Sequence, residues 1–155
     1  KLENFLYDAR GGDFLKLIDF GLGKFCDNSG GCMTERVGTM AYLAPEVVSK
    51  SCSYNWRCDL WSTGVIAFVL LSGQMPFDTE EEAAIHDIRN ANYSFSTDAW
   101  SEVSKEGIDF VRSLLRLRPE DRPNAEQALQ HPWLRAGAPR AGGEPQPEFL
   151  APGAE

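Results

Sequence analysis

The sequence predicts an α+β fold that is mainly helical, and three observations carry that expectation. The run from Asp59 to Ser72 is apolar at every position from Val65 to Leu71, so a helix there is greasy on all faces and belongs in a domain centre. Two short apolar stretches near the start, Phe5-Leu6-Tyr7 and Phe14 to Ile18, flank the turn-forming Asp8-Ala9-Arg10-Gly11-Gly12-Asp13 and read as a β-hairpin. Beyond residue 78 the apolar residues recur at helical spacing between recognisable caps.

In chain order, the hairpin comes first and its second strand delivers Asp19-Phe20-Gly21. Between Leu22 and Ala41 no period of either kind is sustained, and Asn28-Ser29-Gly30-Gly31 is turn chemistry, so a long exposed loop is expected. Loops of that length in compact domains are usually functional. The central apolar helix opens at Asp59, a carboxylate that must either cap the helix or hold amides of another segment. Asp78 or Thr79 can cap a helix running to about Ala91, with Glu80, Glu81 and Glu82 in its first turn. Ile108, Val111, Leu114 and Leu115 mark an amphipathic helix that ends before Pro119. A last short helix is capped by Asn124 with Gln127 three residues on. From Ala136, Ala, Gly and Pro supply 13 of 20 residues, which predicts a disordered tail over 136–155.

A chain of 155 residues is one domain's worth and can bury about 68–70% of its unfolded surface. The 15 basic and 23 acidic residues give a net charge of -8 with no Lys or Arg block. That balance argues against a nucleic-acid or acidic-membrane surface and mildly favours basic partners. The longest apolar run is far shorter than the roughly 20 residues a membrane-crossing helix needs. Cys26, Cys32, Cys52 and Cys58 form no C-x-x-C pair, and no signal peptide precedes them. Reduced thiols in an intracellular, cytoplasmic setting follow as the expectation.

The chemistry-bearing signals lie where the strands meet the loop. An Asp closing a strand and followed by Phe-Gly puts a carboxylate at the rim of the core, and Asn4 lies one strand earlier on the same rim. A carboxylate and an amide oxygen suit Mg²⁺, which takes few protein oxygens and completes its shell with phosphates and water. Lys1-Leu2-Glu3-Asn4, Asp19-Phe20-Gly21 and Ala44-Pro45-Glu46 together resemble the protein kinase signature, which runs from a catalytic loop ending in Asn through Asp-Phe-Gly to Ala-Pro-Glu. The resemblance spans residues 1–135 and implies the large, carboxy-terminal lobe of a kinase domain beginning with a small β-hairpin. The chain starts at Lys1 without Met, carries no Gly-x-Gly-x-x-Gly and no His-Arg-Asp, and therefore reads as a fragment whose amino-terminal lobe is absent.

The resemblance assigns roles residue by residue. It implies ATP and Mg²⁺ as cofactors, with Asn4 and Asp19 as metal ligands, Lys1 against the γ-phosphate, and Phe20 and Gly21 beside the cofactor. It places Thr39, in Gly38-Thr39-Met40-Ala41-Tyr42-Leu43, among the catalytic residues on the acceptor side, which favours Ser/Thr substrates. It pairs Glu46 with Arg122 and has Asp59 accept amides of the catalytic loop. Thr34 stands as the regulatory phosphosite candidate, with Glu35 already negative beside it. Leu71 to Phe77, Tyr93-Ser94-Phe95, Trp100 to Ser104 and His131-Pro132-Trp133 are most similar to the calcium/calmodulin-dependent and calcium-dependent protein kinase group. No calcium-binding loop is present, so a calcium-sensing segment would lie outside this chain. The alternative is a non-catalytic kinase-like module that docks peptides or partner proteins.

Overall fold

A computed structural model describes residues 1–10, 12, 14–23, 38–49, 54–78 and 80–137. Strands β1 (Phe5–Tyr7) and β2 (Leu15–Leu17) pair antiparallel, with Phe5 opposite Leu17, Leu6 opposite Lys16 and Tyr7 opposite Leu15. The ladder extends one step at each end, because the Ile18 amide donates to the Asn4 carbonyl (2.8 Å) and the Asp8 amide to the Phe14 carbonyl (3.0 Å). Every other described element is helical. After a tight 3-10 turn at Met40–Tyr42 come α1 (Pro45–Val48), α2 (Arg57–Ser72), α3 (Glu81–Asn90), α4 (Lys105–Leu114), α5 (Ala125–Leu129) and α6 (Pro132–Gly137).

Helix α2 is the centre of the core. Leu60, Trp61, Gly64, Val65, Ala67 and Phe68 are buried along it, and α4 lies against it. The contact is close because Gly64 has no side chain: a Cβ there would stand 2.9 Å from Leu114 Cβ and 2.9 Å from Leu115 Cδ2. Along α2, Trp61 near its start stacks on Phe77 at 5.5 Å between ring centroids, and Phe68 toward its end meets Trp100 edge to face at 4.6 Å. Tyr93 and Phe95 extend this aromatic layer. Such pairs add about 0.5–1.5 kcal/mol each beyond the area they bury.

The helix ends follow local chemistry. Ser104 Oγ accepts the Gly107 amide at the start of α4. Asn124 and Gln127 make a reciprocal capping box on α5, with bonds of 2.7 and 2.9 Å. Gly73, at φ 69°, terminates α2 in the left-handed conformation that a side chain resists.

Three expectations need correction. Helix α2 begins at Arg57, two residues before Asp59, and the donor at its start is met by Asn55 Oδ1, which accepts the Arg57 amide; Asp59 therefore sits inside the first turn and caps nothing. The apolar run does not bury on every face, since Leu70 is 70% exposed and no described element covers that side. Asp78 does not cap α3; its Oδ1 accepts the Glu80 amide in the preceding turn, and the helix starts at Glu81. Thr79 lies outside the described residues, as do Thr34, Glu35, Asn28 to Gly31, Cys26, Cys32, Cys52 and 138–155. No helix among the described residues is long and apolar enough to cross a membrane.

Candidate active site

A cleft of about 610 Å³ opens where the hairpin, the 38–44 segment and the first turns of α2 meet. Lys1, Asn4, Asp19, Thr39 and Asp59, far apart in sequence, all line it. Its apolar wall includes Leu43, Val47, Tyr54 and Trp56.

The hairpin brings Asn4 and Asp19 together. Leu2–Asn4 forms a 3-10 turn closed by the Asn4 amide on the Lys1 carbonyl (3.0 Å), which carries Lys1 and Asn4 on one short loop. The Ile18–Asn4 main-chain bond then sets the residue before Asp19 against Asn4. Asp19 itself has φ 67°. Asp is among the few side chains that tolerate this region, and Oδ1 supports it locally by accepting the Gly21 amide at 3.3 Å. The chain then turns sharply, with the Gly23 amide on the Phe20 carbonyl. Phe20 is 71% exposed, and neither it nor Gly21 lines the cleft.

On the opposite wall, Thr39 precedes the Met40–Tyr42 turn, whose Tyr42 amide returns to the Thr39 carbonyl. Gly38 adopts φ 124°, and a Cβ there would meet Leu43 Cδ2 at 2.9 Å, so only glycine fits the approach. Ser62 of α2 ties this wall down by donating its hydroxyl to the Tyr42 carbonyl (2.8 Å).

Asp59 stands at the floor but is exposed to solvent, and partial loss of water around its carboxyl raises it above the ordinary Asp value. Among the described residues its side chain meets only the Cys58 thiol, at 3.8 Å, and no amide of residues 1–4 reaches it. The amide-accepting role expected of Asp59 is thus not filled within the described residues. Cys58 shares the floor, and burial, followed by the charges of Asp59 and Glu46, pushes its thiol up to about 12. It stays a neutral, weakly nucleophilic thiol at any physiological pH. The sequence offered no signal for Cys58, whose placement depends on the fold of α2.

Glu46 and Arg122 do not line the cleft; they anchor its 38–49 wall from behind. Arg122 is 2% exposed, and its guanidinium grips Glu46 in a fork, Nη1 to Oε1 at 2.7 Å and Nη2 to Oε2 at 2.8 Å. The remaining donors reach the carbonyls of Arg116, Arg57 and Leu117, so all five N–H groups of the side chain are used. The guanidinium also lies 5.1 Å from the Trp61 ring centroid. A buried charge so completely partnered is the case in which desolvation is best offset.

Comparison with known proteins gives the chain's relatives. The protein kinase domain family matches residues 1–134. The chain is 42% identical over 137 residues to calcium/calmodulin-dependent protein kinase cmkA of Emericella nidulans, covering 87% of this chain and 33% of that protein. It is 42% identical to serine/threonine-protein kinase dkf-1 of Caenorhabditis briggsae, covering 87% of this chain and 18% of the relative. With calcium-dependent protein kinase 25 of Arabidopsis thaliana the identity is 41%, over 87% of this chain and 26% of that protein. The chain thus spans about a third or less of the curated relatives it matches.

Proposed function

The chain belongs to the protein kinase domain family, and from that membership we propose that it is the acceptor-binding and metal-binding part of an enzyme that transfers phosphate from ATP to Ser/Thr residues of proteins. The observation that carries this reading is the convergence of Lys1, Asn4, Asp19 and Thr39 on one cleft from three separate segments. The donor set fits the ion: one carboxylate and one amide oxygen leave room for water and phosphate oxygens, as Mg²⁺ prefers. No group of three or more His, Cys, Asp or Glu among the described residues offers a competing cage. When bound, Mg²⁺ supplies positive charge against phosphate oxygens. Asn4 and Asp19 would hold it, Lys1 would add a mobile cation beside it, and Thr39 would offer a hydroxyl on the acceptor side. The net charge of -8 favours basic protein substrates through long-range attraction.

The sequence contains no His-Arg-Asp and no glycine-rich phosphate loop, so we expect no turnover from the chain by itself. Calcium control, suggested by the names of the relatives, would require a segment elsewhere. The retained Asn4–Asp19 pair favours the enzyme over a docking module, which has no need of metal ligands. The test is phosphorylation of a basic Ser-containing peptide by the chain preceded by a nucleotide-binding lobe and a His-Arg-Asp catalytic loop. Asp19→Asn should lower the rate by at least about 10²-fold, as loss of a charge-stabilising group does. Asn is the cleaner substitution, because Ala at φ 67° would add about 1–2 kcal/mol of backbone strain. Turnover by the Asn variant equal to the parent's would remove the assignment.

A further inference from the structure

Arg57, half-buried at the first position of α2, carries a network that the anchor described above does not explain. Its Nη1 donates to the main-chain carbonyls of Pro119 (3.3 Å) and Arg122. In return, Arg122 Nη1 donates to the Arg57 carbonyl at 3.0 Å. Two like-charged side chains are thereby locked head to tail across 65 residues of sequence, each holding the other's backbone. The arrangement is tolerable because each cation faces a carbonyl dipole, and Arg122 in addition faces the Glu46 carboxylate. The Arg57 guanidinium is steadied further by the Trp56 ring, 4.7 Å from its centroid, and its own amide by Asn55 Oδ1.

We propose that Arg57 is a positioning residue for the acceptor-side wall: it fixes the backbone of Arg122, Arg122 grips Glu46, and Glu46 holds the 38–49 segment against the cleft. The inference rests on the reading of that wall as the acceptor side, but the contacts themselves do not. The atoms that would meet a Cβ at Gly64, where α2 packs on α4, belong to Leu114 and Leu115 and not to Arg57. Loss of the side chain should therefore loosen one segment and leave the core alone. A solvated surface arginine, the bland alternative, would affect neither.

Amide hydrogen exchange of the whole chain, read on peptides covering 40–49 and 105–115, separates these cases. Arg57→Met should accelerate exchange in 40–49 roughly tenfold, the size expected for losing hydrogen bonds to a charged donor, with 105–115 unchanged. Arg57→Lys, which keeps the charge but not the planar fork, should fall between Met and the parent. Equal acceleration in both peptides would reduce Arg57 to a general stabiliser. No change in 40–49, or a Lys variant as fast as Met, would equally overturn the proposal. Because exchange is read without turnover, selective loosening together with an Asp19→Asn variant that turns over like its parent in the completed enzyme would end the kinase reading of the cleft and keep the positioning role, whereas an Asp19→Asn loss without selective loosening would do the reverse.

Discussion

The two ends of the cleft are built from unlike material. The α2–α4 side buries Trp61, Val65, Val111 and Leu114 almost completely, and its polar anchor Arg122 is fully bonded. On the hairpin side, Phe5, Leu6, Tyr7, Leu15, Leu17 and Ile18 are all between 38% and 64% exposed. A two-stranded hairpin is at best marginally stable in water without a covered face. Yet it is the hairpin that presents Asn4 and Asp19. The difference teaches that the 38–49 wall is positioned by this chain's own core, while the side that presents Asn4 and Asp19 rests on the β1–β2 main-chain bonds.

Substitutions at the two ends should therefore differ in size. The largest effect is expected at Arg122: Arg122→Ala leaves Glu46 without its partner in a site only 10% exposed, costing about 3–5 kcal/mol. Thermal unfolding would read it, and the double change Glu46→Gln, Arg122→Ala should lose much less than the sum of the single changes. Strict additivity would mean that the pair carries no coupling.

Gly64→Ala comes next. The new methyl would press on Leu114 and Leu115 at 2.9 Å, so α2 and α4 must part, at about 1–3 kcal/mol. Urea unfolding measures this, and an unchanged midpoint would show that the helices pack less closely than described. The smallest effect belongs to the hairpin. Leu15→Ser or Leu17→Ser, at half-exposed sites, should change global stability by no more than about 0.5 kcal/mol. A loss as large as that of Gly64→Ala would mean that the hairpin is part of the cooperative core.

The sequence made the helical part legible because its signals are local. The capping box of Asn124 and Gln127 and the stop at Gly73 each depend on residues within a few positions. The hairpin was legible for the same reason, through its apolar runs and turn. Hydrophobicity reports what a residue can bury, not what arrives to cover it, and so Leu70 was expected inside and stands in solvent. The start of α2 was misplaced because Asn55, two residues before the helix, satisfies it where Asp59 was expected to. The contact of Glu46 with Arg122 spans 76 residues and no local pattern contains it; family resemblance alone pointed there. Arg57 carried no signal at all, since its bonds go to carbonyls, which every residue possesses.

The most direct test concerns the weaker end, where the chemistry is proposed to occur. Mn²⁺ can stand in for Mg²⁺ at an oxygen site, and its unpaired electrons broaden the NMR signals of nearby amides. Titrating the chain with Mn²⁺ in the presence of an ATP analogue should broaden the amides around Asn4 and Asp19 first, and Asp19→Asn should weaken that broadening while α4 remains sharp. Broadening centred instead on Asp59, or on the exposed Glu80, Glu81 and Glu82, with no change on Asp19→Asn, would contradict the account of the cleft as a kinase metal site.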